Sequence, residues 1–345
     1  MVRVGILGAT GYAGSELVRL LAQHGGVELT MLSSKSYEGQ KMSAIYPALR
    51  GVCDLVLQAP DAALAAKQCD LVFTALPHGA SKEIIPALYA KGLTVIDLSG
   101  DYRYNDPAVY EAWYGQEHSS PELLAQSVYG LPELHREAIK KTKLVGNPGC
   151  YTTCSILGLA PLLAHGKVDT KNIIIDAKSG VSGAGRGLAL DYHFCECTEN
   201  MKAYKVATHR HTSEIEQELS LLAGTDIMLS FTPHLVPMKR GIFATMYANL
   251  KAPAEKEELM ALYHEFYDNE PFVRLYDEGL PESNHVSGSN FIDIGLCVDK
   301  RLGRVIVVSA IDNLVKGAAG QAVQNMNLIC GFAETQGLTG AGFYL

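Results

Sequence analysis

Cys150 lies where an apolar run at Leu144 and Val145 meets Asn147, Pro148 and Gly149 and is followed by an apolar stretch with helical character. Asn-Pro-Gly is a strong turn signal, so the spacing predicts a strand, a turn, and a buried helix that opens at Cys150. A thiol in the first turn of a helix meets unpaired backbone N–H groups and the positive end of the helix dipole, both of which favour an anion. An ordinary thiol, with a pKa of about 8.5, is only a few per cent thiolate at pH 7, and this setting raises that fraction. A buried packing cysteine is the alternative. The choice between the two turns on the other reactive residues. His209, Arg210 and His211 precede a helical pattern for which Thr212 or Ser213 is a candidate cap, Ser213 and Glu216 having capping-box spacing. That places two histidines and an arginine at a helix mouth, and such a triplet is hard to bury unpaired. Lys239 and Arg240 fall between Pro237 and Gly241, in a turn where they could reach an anionic substrate.

The N-terminal end carries a second kind of chemistry. A strand-like run from Val2 to Leu7 enters a turn containing Gly8, Thr10, Gly11, Tyr12, Ala13 and Gly14, followed by a helical stretch from Ser15. Strand, glycine turn and helix is the context in which glycines let a backbone approach a pyrophosphate that rests on the helix N-terminus. The next strand, Val27 to Leu32, ends in Ser33, Ser34 and Lys35. An NAD-preferring site places Asp or Glu there for the ribose 2′-hydroxyl, whereas two hydroxyls and a cation suit a 2′-phosphate. NADP is therefore the expected cofactor, with a solvated loop charge as the other reading of Lys35.

Further strand-like runs end at Pro77, His78 and Gly79 and at Ser99 to Arg103, with helical stretches between them. This alternation predicts a parallel, doubly wound sheet whose ligands bind outside the carboxyl ends of the strands. Pro77 and Arg103 are thereby candidate site residues, Arg103 as an anion clamp or as half of a surface salt bridge. After Cys150 the texture changes. A run from Asn172 to Lys178 leads into a small-residue loop, 179–186, in which Ser182 and Gly183 offer backbone amides to phosphate or cofactor. Long strands then recur from Gly241, Phe291 and Arg304 with few helices between them, which predicts an α+β domain with a mostly antiparallel sheet. Asn313 and Lys316 begin a glycine- and alanine-rich helix that is expected to return to the first domain and pack near the nucleotide.

A chain of 345 residues suggests about two domains. We place an α/β Rossmann-type dinucleotide-binding domain at 1–149, completed by a C-terminal helix over 313–345, and the second domain at 150–312. With 29 basic and 37 acidic residues, a net charge of −8, and no long run of either sign, the composition argues against nucleic-acid or anionic-membrane partners. No stretch approaches the about 18–20 apolar residues of a membrane span. The first residues go straight into a strand without signal-peptide architecture. Eight scattered cysteines then read as reduced thiols, and a cytoplasmic location is expected. His193, Cys195 and Cys197 have poor zinc spacing, and no metal is expected.

Taken in order, GATGYAGSEL (8–17), GNPGCYTT (146–153), SGVSGAGR (179–186), HRHTSEIEQ (209–217), PHLVPMKRG (233–241) and NLVKGAAGQA (313–322) resemble the N-acetyl-gamma-glutamyl-phosphate reductases of arginine biosynthesis, over essentially the whole chain. The wider superfamily includes aspartate-semialdehyde dehydrogenase. The resemblance implies a nicotinamide domain, a dimer-forming catalytic domain and a homodimer or homotetramer. It also implies an NADP(H)-dependent reaction on a small acyl phosphate, with Cys150 as nucleophile. His211 best matches the superfamily acid/base histidine. His209 remains a substrate contact or the base itself. Arg210, Lys239 and Arg240, with Arg103, would hold substrate anions. The same chemistry on aspartyl phosphate or carrier-linked aminoadipyl phosphate is the nearest alternative. A non-catalytic NADPH-binding regulator, or a simple alcohol dehydrogenase, would not need both the thiol and the histidine.

Overall fold

The structure, a computed structural model, describes residues 1–343 and divides into two compact units. The first comprises Met1–Gly149 and Ala318–Gly340, and the second Cys150–Gly317 with the residues from Ala341.

Among the described residues the first unit contains one six-stranded sheet: β1 (Val2–Leu7), β2 (Val27–Ser33), β3 (Leu71–Thr74), β4 (Thr94–Asp97), β5 (Val128–Tyr129) and β6 (Leu144–Gly146), in the order β2-β1-β3-β4-β6-β5. Every ladder is parallel. All four residues of β3 are buried, as expected of a strand covered on both faces. The chain steps from β1 to β2 on one side and to β3 on the other, so the switch point for ligands lies at the end of β1. There Gly8 has φ +88°, and a methyl on it would press on the carbonyl of Ala75 at the end of β3. Gly14 is buried, and a Cβ there would stand 2.8 Å from Ala9 Cα. Gly11 differs, since a Cβ at that position has no neighbour closer than the Gly8 carbonyl at 3.6 Å. The helix Tyr12–Leu21 starts three residues before the expected Ser15, with Gly11 as N-cap.

Buried carboxylates fix the loops at the ends of β3 and β4. Asp97 accepts from Thr74 Oγ1 and Ser99 Oγ, each at 2.6 Å, and burial pushes its carboxyl up. Asp101 accepts the N–H groups of Gly79 (2.9 Å) and Lys82 (3.1 Å), which caps the helix Ser81–Ala90 from a neighbouring loop. The last helix of this unit, Gly320–Cys330, ends at Gly331 in the left-handed region. Its Asn325 Nδ2 donates to Gly130 O (2.8 Å) and Asn147 Oδ1 (3.0 Å), and Asn147 Nδ2 donates to Ala318 O (3.1 Å).

The helix expected over 313–345 is therefore shorter and composite. A π turn, Val315–Ala319, precedes the α-helix, and positions 344 and 345 lie outside the described residues. Asn313 and Lys316 belong to the second unit, which runs to Gly317 rather than 312.

In the second unit a seven-stranded sheet runs β11-β12-β13-β10-β7-β9-β8 among the described residues. Its strands are β7 (Ile174–Gly180), β8 (Lys202–Ala203), β9 (Ser230–Val236), β10 (Ile242–Asn249), β11 (Val273–Tyr276), β12 (Ile292–Asp299) and β13 (Arg304–Ile311). The ladders β12/β13, β13/β10, β10/β7 and β9/β8 are antiparallel, whereas β11/β12 and β7/β9 are parallel, so the sheet is mixed. The sequence reading misses β9 because Pro233 sits inside it, and proline argues against a strand interior. Pro233 is accommodated beside a two-residue edge strand, and its carbonyl accepts the Tyr204 N–H at 3.1 Å.

The helix Cys150–Ala164 packs on this sheet and is buried continuously from Tyr151 to Leu163. A Cβ at Gly158 would stand 3.1 Å from Met246 Sδ of β10, so glycine permits the close approach. Pro161 removes the N–H that would bond the Leu157 carbonyl, and Tyr267 Oη donates to that carbonyl instead at 2.6 Å. Tyr263 Oη donates to the Gly158 carbonyl, also at 2.6 Å.

These contacts separate two glycines that look equivalent in sequence. Gly14→Ala should lower Tm by roughly 5 °C or more, since backbone must move to admit the methyl. Gly11→Ala should leave Tm within about 2 °C, because its methyl enters open space. Thermal unfolding of both variants checks the distinction.

Candidate active site

Cys150 is the first residue of its buried helix and is itself half-buried. Four residues on, Cys154 is fully buried with its Sγ 3.1 Å from Ser309 Oγ, and burial pushes its thiol up to about 12. The two thiols therefore differ in kind: one stands at a helix N-terminus, and the other is an inert part of the core.

The helix His211–Ala223 packs beside the Cys150 helix. Thr152 Oγ1 donates to Glu214 Oε1 at 2.9 Å, with both residues buried, so the first turns of the two helices are bonded side by side. Cys150 and His211 thus head adjacent helices. The helix start differs from the expected one. His211 is the first helical residue with Arg210 as N-cap, and Ser213 Oγ donates to the Arg210 carbonyl at 3.0 Å. Glu216 accepts the Leu229 N–H at 3.0 Å, so Ser213 and Glu216 form no capping box.

His209 lies in an aromatic enclosure. Its ring centroid is 5.7 Å from Tyr151, 5.6 Å from Tyr204, 5.5 Å from Phe231 and 4.6 Å from His211. Its Nδ1 accepts the His211 N–H at 3.1 Å. Burial, then the charges of Lys205 and Arg210, push His209 down to about 4. His209 is accordingly neutral at pH 7 and unsuited to pair with a thiolate as a cation. Tyr204 Oη donates to Tyr151 Oη at 3.2 Å, and Cys150 acts electrostatically on both phenols, so the thiol and the two histidines share one set of neighbours.

Arg240 lies beside Asp312, Nη1 to Oδ2 at 3.4 Å, while Lys239 is exposed on the same turn. Asn313, expected at the cofactor, spends its amide within this unit: Oδ1 accepts the Gly241 N–H (2.8 Å) and Nδ2 donates to Ser182 Oγ (3.0 Å). Gly183 is exposed on the loop below Ser182. Lys316 is fully buried, with Nζ 5.6 Å from the Phe272 ring centroid.

The remaining expected residues fall in the first unit. Arg103 is buried and donates through Nη2 to Leu98 O at 2.9 Å, so it is not an exposed surface charge. Gly8, Thr10, Gly11, Tyr12, Ala13 and Gly14 form the turn after β1. Thr10 Oγ1 and Ser34 Oγ, both buried, bond at 2.8 Å and join that turn to the end of β2. Lys35 and Pro77 are exposed at the ends of β2 and β3. This turn fits a dinucleotide phosphate. The helix Tyr12–Leu21 has no side-chain cap and no acidic residue in its first turn, and Gly11 leaves space before it.

Sequence reasoning missed Tyr151, Tyr204, Thr152, Glu214, Asp312 and Gly317, all of which contact the site through side chain or backbone. Their signal is three-dimensional, because tyrosine, threonine and buried acids carry no diagnostic spacing. Among the described residues no three His, Cys, Asp or Glu side chains group as a metal site, and no helix is long and apolar enough to cross a membrane.

The family model for the semialdehyde dehydrogenase NAD binding domain matches residues 3–142, and that for the semialdehyde dehydrogenase dimerisation domain matches 150–313. N-acetyl-gamma-glutamyl-phosphate reductase of Acetivibrio thermocellus is 60% identical over all of both chains. That of Symbiobacterium thermophilum is 58% identical over 99% of this chain and 98% of its own. Among solved structures, aspartate semialdehyde dehydrogenase II from Vibrio cholerae shares the fold at TM-score 0.73 and 18% identity, covering 96% of this chain and 98% of that one. On these matches the chain belongs to the N-acetyl-gamma-glutamyl-phosphate reductase family of semialdehyde dehydrogenases.

Proposed function

We propose that the chain catalyses the NADPH-dependent reduction of N-acetyl-glutamyl 5-phosphate to N-acetyl-glutamate 5-semialdehyde and phosphate. The observation that carries this reading is the Thr152–Glu214 bond, which sets the helices headed by Cys150 and His211 side by side. Cys150 thiolate attacks the acyl carbon, the bond to phosphate oxygen breaks, and phosphate leaves a thioester on Sγ. Backbone N–H groups at the start of the Cys150 helix stabilise the oxyanion of that addition. When bound, the nicotinamide supplies the hydride that reduces the thioester carbon. His211 protonates the oxygen of the resulting thiohemiacetal and takes the proton back as the aldehyde leaves and the thiolate re-forms. His209, held neutral, serves as a substrate contact. Arg210, Lys239 and Arg240 supply positive charge for carboxylate or phosphate, and Arg103 is the further candidate clamp.

For the cofactor, Gly8, Gly11 and Gly14 with the N–H groups of Tyr12 and Ala13 take the pyrophosphate. Thr10, Ser34 and Lys35 take the 2′-phosphate, since no acid ends β2, and Pro77 borders the site. Ser182, Gly183, Asn313 and Lys316 are the further residues assigned to the cofactor. We further infer a homodimer or homotetramer assembled through residues 150–313, the region matched by the dimerisation model. The eight cysteines, all free thiols, suit a reducing cytoplasm.

Phosphate-dependent reduction of NADP should proceed with N-acetyl-glutamate semialdehyde and fall by about 10⁴-fold or more in Cys150→Ser. Turnover of aspartate semialdehyde instead would keep the thioester chemistry and replace the substrate. Gly11→Ala should raise KM for NADPH at least about tenfold at unchanged Tm, because its methyl occupies the space left for phosphate.

Native His209 titrates at about 4 and an unfolded-chain histidine near 6.5. Between those values the unfolded chain binds more protons, so this contribution is complete above about 6.5 and is lost as pH falls towards 4. His209→Asn should flatten the acid slope of Tm in that window. His211→Asn should cost about 10²-fold or more in kcat, the scale of a lost general acid–base group, and His209→Asn much less. Equal losses in kcat would return the acid/base role to an open choice between the two.

A further inference from the structure

Between β13 and the helix Gly320–Cys330 the chain makes the π turn Val315–Ala319, in which the Gly317 N–H donates to the Asp312 carbonyl at 2.9 Å, five residues back. Single π turns recur at functional sites, where the extra residue re-aims its neighbours. Here the two ends of the Asp312–Gly317 hydrogen bond meet two different parts of the catalytic unit. At one end, a Cβ on Gly317 would stand 2.8 Å from Cys150 Cβ and 3.2 Å from Cys150 Cα, so only glycine lets the turn rest against the nucleophile. At the other end, Asp312 is fully buried and held by four donors. Its Oδ1 accepts the N–H groups of Leu314 (2.8 Å) and Val315 (3.2 Å), and its Oδ2 accepts that of Gly288 (2.7 Å) and faces Arg240 Nη1 at 3.4 Å.

A carboxylate fixed on both oxygens cannot swing, so it gives the long Arg240 side chain one direction. The turn that carries Arg240 is braced as well. Asn313 holds the Gly241 N–H, and the N–H groups of Val181 and Ser182 donate to the carbonyls of Met238 (2.9 Å) and Lys239 (3.2 Å). An unbraced arginine would have to be ordered by each arriving substrate, and that entropic cost would fall on binding.

We propose that this π turn is the positioning element of the substrate site: Asp312 aims the Arg240 guanidinium at the substrate's anionic group, and Gly317 ties that aim to the backbone of Cys150. The proposal rests on the reading of Arg240 as a substrate clamp. Asp312 acts through Arg240 and touches no reacting atom.

The test is a double-mutant cycle in kcat and KM for phosphate-dependent oxidation of N-acetyl-glutamate semialdehyde, using Arg240→Ala, Asp312→Asn and the double variant. Asp312→Asn should raise KM about tenfold, the scale of one charge-assisted hydrogen bond, with kcat within about twofold. The double variant should be no worse in KM than Arg240→Ala alone, because the effect of Asp312 passes through the arginine. Multiplying effects, or an unchanged KM in Asp312→Asn, would overturn the proposal. Should Asp312→Asn not fold, Asp312→Ser keeps an acceptor for the N–H groups of Leu314 and Val315 and removes the carboxylate from Arg240, so the same cycle can be run. An Arg240→Ala enzyme with unchanged KM would remove the clamp and the proposal together while leaving the Cys150 chemistry intact. Failure of the functional reading would show separately, as a wild-type enzyme without turnover. Gly317→Ala should lower kcat at least about tenfold by displacing the nucleophile, and an unaltered kcat would overturn its assigned role.

Discussion

The helix that carries Cys150 has no solvent face. Thirteen of its fifteen residues, Tyr151 to Leu163, are buried, and a segment that is apolar or small on every side is stable only where other elements cover it. The sheet does so from one side, where Gly158 admits Met246, and the helix His211–Ala223 does so from another. Tyr263 and Tyr267 arrive from a third direction and satisfy the carbonyls that Pro161 and close packing expose. Each covering element brings something to the site. The neighbouring helix brings His211, and β13 leads into Asp312 and Gly317. The arrangement of the candidate site and the packing of the core are here one set of contacts.

The electrostatics around the thiol follow from the same enclosure. An aromatic wall of Tyr151, Tyr204 and Phe231 desolvates His209 and keeps it neutral, while Lys205 and Arg210 add positive charge beside it. Lys205 and Ala207 have φ of +46° and +57°, conformations that non-glycine residues adopt at a cost of order 1 kcal/mol or more each. The chain takes this strained course immediately before His209 and Arg210 enter the enclosure. Charge is thereby gathered at the mouths of two helices whose dipoles already favour an anion.

Much of this was legible in the residues because some signals are local. A glycine turn after a clean strand, Asn-Pro-Gly before Cys150, and the alternation of strands and helices up to residue 149 all depend on neighbours in sequence. What escaped depends on partners far away. β9 was hidden by Pro233, whose missing N–H is harmless only in this particular sheet position. Glu216 was assigned to a capping box and instead bonds Leu229. The bonds of the Asn313 amide to the Gly241 turn and to Ser182 likewise join residues far apart in sequence. The aromatic surroundings of His209 and His211 were not legible from their spacing, since Tyr151, Tyr204 and Phe231 come from distant parts of the chain.

The first unit is not a continuous stretch of chain, and this bears on its biosynthesis. Its last helix closes on residues translated long before it: Gln324 and Glu334 meet Glu133 and Arg136, and His24 Nε2 bonds Asn327 Oδ1 at 2.8 Å across 303 positions. As the ribosome extends the chain, residues 1–149 emerge with the polar groups of Gly130 and Asn147 still lacking Asn325. The main segment of the second unit, Cys150–Gly317, follows before that helix is made. Cys150–Gly317 can close on itself in the interval, while the older unit waits, exposed to misfolding and to chaperones, for the residues that complete it. Translation order thus runs opposite to the order in which the two cores can finish.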